Sequence, residues 1–84
     1  MSSQESSLLR LRVVADADPG VLARVLERFQ NLNVLPRRVV AELGTTGMFH
    51  IQVDIASLSE NTLTLIAAKL GQVPAIMNAY WHRA

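Results

Sequence analysis

Asp16 and Asp18 flank Ala17 where an extended apolar run gives way to Pro19-Gly20-Val21-Leu22. Paired carboxylates can hold a cation or do acid–base work. These two precede a helix start, where capping and the helix dipole already stabilise a carboxylate. Asp18 is therefore expected to act as an N-cap. Gly20 makes a tight turn, and without a Cβ it would also let a ligand carboxylate approach the N–H groups of Gly20, Val21 and Leu22. Neither GxGxxG nor GxxxxGKS occurs, so this is not a phosphate loop.

His50 and His82 are the only histidines. No HxH or HExxH spacing supplies a second ligand or a nucleophile, so His50 reads as a surface residue beside Gln52 and Asp54. Arg10, Arg12, Arg37 and Arg38 could converge on an open sheet face or near one edge. Nucleic-acid binding would need aromatics interleaved with them on the central strands, and none is placed there. Solvated charge, or salt bridges to a protein partner, is expected instead. Tyr80 and Trp81 fall on opposite faces of the last strand, one for the core and one for contact. No catalytic and no metal-binding constellation emerges.

The elements that must position these residues follow from periodicity. Leu9, Leu11, Val13 and Ala15 alternate with Arg10, Arg12 and Val14, predicting a strand over Leu8–Ala15. A helix then opens at Pro19, with Val21, Leu22, Val25, Leu26, Phe29 and Leu32 on its apolar side, and ends near Asn33. Val34–Leu43 is expected as a second strand; Pro36 makes it an edge strand or has it begin after a bulge. Gly44-Thr45-Thr46-Gly47 is a hairpin turn, and Met48–Ile55 alternates cleanly as the third strand. Ser57–Leu70 reads as a second helix, capped by Ser57 in a capping box with Glu60 or by Ser59, and stopped by Gly71. Val73–His82 closes as a fourth strand, again an edge because of Pro74. The expected fold is α+β: a ferredoxin-like βαββαβ two-layer sandwich, with a four-stranded antiparallel sheet and two helices on one face. Right-handed crossovers put the first and third strands in the centre.

Composition sets limits. Residues 1–7 are polar and read as a disordered tail, leaving residues 8–84 as one regulatory domain. Half the residues are hydrophobic and mean hydropathy is +0.24, more apolar surface than so small a core consumes. A dimer or a larger partner would cover the excess. There is no cysteine, which fits a reducing cytoplasm. A net charge of +1 gives no strong field for nucleic acid or membrane, and no apolar run approaches a membrane span.

The order of elements, the Asp18-Pro19-Gly20-Val21-Leu22-Ala23-Arg24-Val25 stretch and the Ser59-Glu60 to Leu70-Gly71-Gln72-Val73 stretch resemble the ACT domain family of amino-acid metabolism. Within it the chain looks most like the short, single-domain small subunits of acetolactate synthase of the isozyme II type, through Pro19, Leu22, Arg24, Val25 and Leu26. The resemblance implies a non-catalytic subunit of branched-chain amino-acid biosynthesis that pairs through its sheet and raises the activity of the large subunit. Thiamine diphosphate, Mg²⁺ and FAD would belong to that large subunit, with no cofactor in this chain.

The resemblance also implies an effector site at Asp18, Gly20, Val21, Leu22, Asn33, Val34 and Leu35. Gly20 stands where valine-binding members receive the effector's main chain. Ala17 and Leu35 replace two asparagines of those members, while Asn33 and Val34 stand for a Gly and an aromatic. Loss of two polar contacts implies weak or absent response to a branched-chain amino acid. Two other readings stay open: a free-standing homodimeric amino-acid sensor using the Gly20 turn, and a small acylphosphatase-like enzyme. The latter would need a basic phosphate cradle where this chain has carboxylates.

Overall fold

The computed structural model describes residues 8–84, so the tail expected over residues 1–7 lies outside the described residues. The order is β1 (Leu9–Asp16), α1 (Pro19–Asn31), β2 (Arg38–Leu43), β3 (Met48–Ile55), α2 (Glu60–Leu70) and β4 (Ile76–Arg83). The strands form one antiparallel sheet in the order β2-β3-β1-β4. This is the ferredoxin-like α+β sandwich, with β1 and β3 central as right-handed crossovers require.

Alternation along β1 works as the pattern predicts. Leu9, Leu11, Val13 and Ala15 are buried, while Arg10, Arg12 and Val14 lie half-covered on the other face. Opposite them, Ile51, Val53 and Ile55 of β3 complete the inner surface. Val21, Val25 and Phe29 of α1 and Leu63, Ile66, Ala67 and Leu70 of α2 close the core over it. Burying each large aliphatic or aromatic side chain contributes roughly 1.5–3 kcal/mol.

The ends of α1 are set by local chemistry. Gly20 N–H donates to Oδ1 of Asp18 at 2.9 Å, and Pro19 occupies the first helical position. At the other end Asn33 takes φ = 57°, which asparagine tolerates better than most residues. Its N–H donates to Gln30 O, and Val34 N–H donates to Phe29 O, each at 2.9 Å. This is a Schellman stop, and it packs Val34 against the core beside Phe29. Leu32 falls outside the buried stripe and is exposed.

Several boundaries differ from expectation. β2 begins at Arg38, not Val34, so Pro36 lies in the connection and removes no ladder bond. β4 begins at Ile76, because Val73–Ile76 forms a turn in which Ile76 N–H donates to Val73 O at 2.9 Å. α2 starts at Glu60 with Ser59 as its cap: Thr62 N–H donates to Ser59 Oγ at 3.1 Å, leaving Ser57 outside. Gly71 caps that helix in the right-handed region, φ −63°, so the stop there does not use left-handed backbone. The register of β4 on β1 shifts between Val14 and Ala15, which leaves Met77 extra and exposed.

Candidate functional site

The helix layer does not cover the whole sheet. In β2, Val39, Ala41 and Leu43 pair with Val53, Ile51 and Phe49 and point to the helix side. All three are exposed, Leu43 at 65%. Leu35, just before β2, is 88% exposed. A row of apolar residues thus runs along a free strand edge with nothing over it.

Two hollows flank α1 on this margin. One, of about 200 Å³, is lined by Ala17, Asp18, Pro19, Leu43 and Phe49. The other, of about 500 Å³, lies at the far end and includes Phe29, Asn33, Val34, Leu35, Pro36 and Val39. The residues singled out from the sequence divide between the two ends of the helix. Asp18, Gly20, Val21 and Leu22 are at the start of α1; Asn33, Val34 and Leu35 follow its end. Thirteen helical residues span about 20 Å, so the two groups do not meet within one protomer.

Two of the helix-start donors are already used. Gly20 N–H is held by Asp18 Oδ1, and Val21 N–H donates to Asp18 O at 3.0 Å. A bound carboxylate would have to displace the Asp18 side chain from Gly20. Val21 itself is buried, Leu22 is half-buried against the core, and Gly20 is open to solvent. A Cβ on Gly20 would come within 3.4 Å of Asp18 Oδ1, a contact that rotation of the carboxylate relieves.

The outer sheet face holds contacts that alternation alone did not reveal. The expectation that its arginines are solvated or reach a partner fails for Arg10. The Nε of Arg10 donates to Asp54 Oδ1 at 2.8 Å and Nη2 to Oδ2 at 3.1 Å. Asp54 is only 3% exposed although it faces away from the helices. The Arg10 bond holds its carboxyl below the usual carboxylate range; desolvation opposes this, while Gln52 and Arg38 reinforce it. Arg12 Nε donates to His82 Nε2 at 3.1 Å. Since a guanidinium only donates and a carbonyl only accepts, the ring proton of His82 sits on Nδ1, directed at Arg83 O 2.9 Å away. The His82 ring stacks near Tyr80, centroids 6.4 Å apart. On the inner face Trp81 is half-buried and its indole N–H donates to Thr64 Oγ1 at 2.9 Å, so Trp81 is the core aromatic and Tyr80 the exposed one. His50 is exposed, as expected. Among the described residues no three His, Cys, Asp or Glu side chains gather as a metal site, and no helix is long and apolar enough to cross a membrane.

An open β2 edge thus lies beside a capped β1–α1 turn. The sequence matches the model of the ACT-like domain over residues 2–84, and the chain belongs to that family. ACT domains are regulatory and non-catalytic, and many sense amino acids. Solved structures agree on the fold. The C-terminal domain of the MgtC protein from Mycobacterium tuberculosis superposes with a TM-score of 0.75 at 15% identity, covering 92% of this chain and 86% of that one. The ACT domain of GTP pyrophosphokinase from Chlorobium tepidum gives 0.72 at 19% identity, covering 89% and 96%. The regulatory subunit of aspartate kinase from Thermus flavus gives 0.70 at 9% identity, covering 92% and 52%. None of the curated proteins matches the chain.

Proposed function

We propose that this chain is a regulatory small subunit that forms a homodimer and binds and activates the large subunit of acetolactate synthase, in the cytoplasm, in the pathway to valine, leucine and isoleucine. The observation that carries the binding role is the bare apolar margin of Leu35, Val39, Ala41 and Leu43. An apolar margin at a free strand edge favours pairing with another chain that continues the sheet. The particular partner rests on the Pro19, Leu22, Arg24, Val25, Leu26 resemblance. Thiamine diphosphate, Mg²⁺ and FAD then sit on the large subunit. Docking acts by favouring the active conformation of the synthase. The test is to mix the chain with a cognate large subunit and measure association and acetolactate formation. Association with a higher rate is expected; the absence of both association and a rate change would refute the reading.

A second reading is a free-standing sensor. Antiparallel pairing of two β2 strands about a two-fold axis would bring the Asn33–Leu35 segment of one protomer to the Asp18–Leu22 turn of the other. The hollow of Ala17, Asp18, Pro19, Leu43 and Phe49 beside that turn is mostly apolar, Asp18 being its one charged residue, and this suits a branched aliphatic side chain. Calorimetry with valine, leucine and isoleucine separates the readings: micromolar binding by the isolated chain supports a sensor.

A further inference from the structure

The helix layer carries an apolar ridge that the domain's own packing does not use. In α2 the core side is Leu63, Ile66, Ala67 and Leu70, yet Leu65, on the outward side, is leucine and 62% exposed. Across the groove between the helices stands Leu32, 46% exposed. The hollow they border, about 250 Å³, is lined by Arg28, Asn31, Leu32, Thr62, Leu65, Ile66 and Lys69. Its charged residues are both basic. Among the described residues neither Arg28 nor Lys69 has an ion-pair partner, and the acidic residues of the two helices, Glu27 and Glu60, do not line it.

This charge pattern selects the occupant. A second copy seated symmetrically here would set Arg28 and Lys69 against themselves, and like charges repel. A second copy seated with a different surface would make a contact that does not close. We infer that the α1–α2 groove is the docking surface for an acidic amphipathic segment of a protein partner. One apolar side chain of that segment lies between Leu32 and Leu65, and flanking carboxylates meet Arg28 and Lys69. The inference rests on the regulatory-subunit reading only for the partner's identity, the synthase large subunit, and it leaves the β2 edge free for pairing.

The test uses the full chain and the double variant Arg28→Glu with Lys69→Glu, both sites being outside the core. Equal melting temperatures of the two proteins establish that the fold is kept. If wild type binds the large subunit, the double variant is expected to bind about tenfold or more weakly, with the wild-type interaction weakening as salt rises. Unchanged affinity overturns the inference while the regulatory reading stands. If wild type does not bind the large subunit, that reading falls and a peptide decides this one. The probe is an 18-residue amphipathic helix of leucine and glutamate, with a leucine–lysine helix as control. Amide shifts centred on Arg28, Leu32, Leu65 and Lys69 with the glutamate peptide alone support the inference. Shifts elsewhere, equal response to the lysine peptide, or binding to phosphatidylserine vesicles in place of the peptide overturn it.

Discussion

Arg10 and Asp54 face each other directly across the β1–β3 register and are joined by two parallel hydrogen bonds, 2.8 and 3.1 Å long. Asp54 also stands opposite Arg38 of β2, and Arg10 opposite His82 of β4. One row across all four strands therefore reads Arg38, Asp54, Arg10, His82. The carboxylate is the only acid in that row, and its burial is tolerated because both its oxygens are engaged.

Asp54→Asn should lower stability at neutral pH by about 1–3 kcal/mol, since it leaves Arg10 without its charged acceptor. The sign with pH follows from the direction of the shift. The Asp54 carboxyl is held below its ordinary range, so its stabilising effect is complete above about pH 4 and fades as pH falls below that. Urea unfolding at pH 7, 5 and 3 should show a steep acid loss in wild type and a shallower one in Asp54→Asn.

Leu43→Asp should separate protomers without unfolding them. Leu43 is exposed, so the change in protomer stability is expected within about 0.5 kcal/mol. Sedimentation velocity should show a dimer for wild type and a monomer for the variant across the same micromolar range. A monomeric wild-type chain at those concentrations would remove the β2 pairing.

Asn33→Val should destabilise by about 1–2 kcal/mol, because a β-branched residue resists the left-handed backbone. Asn33→Gly should be neutral or better. The difference in chemical melts between these two variants reads the Schellman stop directly.

Gly20→Ala should fold normally, since the new methyl meets only Asp18 Oδ1, at a van der Waals distance of 3.4 Å. The same methyl stands where a ligand's main chain would approach. For any amino acid that wild type takes up in calorimetry, the variant should show no binding heat at matched concentrations.

The cap at Asp18 and the stop at Asn33 were legible because each depends on neighbours in sequence, and the strand order because right-handed crossovers leave few arrangements. Alternation in β1 and β3 separated core from outer face correctly. The boundaries at Val34 and Val73 were not legible: apolar residues continue there, but the Schellman stop holds Val34 and the Val73–Ile76 turn holds Val73. The Arg10–Asp54 pair joins residues 44 apart. Alternation put both on the outer face, but only the register brings them opposite each other. Of the effector-type residues, types and positions could be read from the chain. Their separation to opposite ends of α1 emerges only once the helix length is known.

Since the inner side of β2 is exposed, the interior built by β1, β3, β4 and both helices closes without it. If copies pair through β2 as proposed, each keeps its own folded interior when they separate. Hydrogen exchange should be slowest along β1 and quickest along β2, with the gap between them narrowing as protein concentration rises.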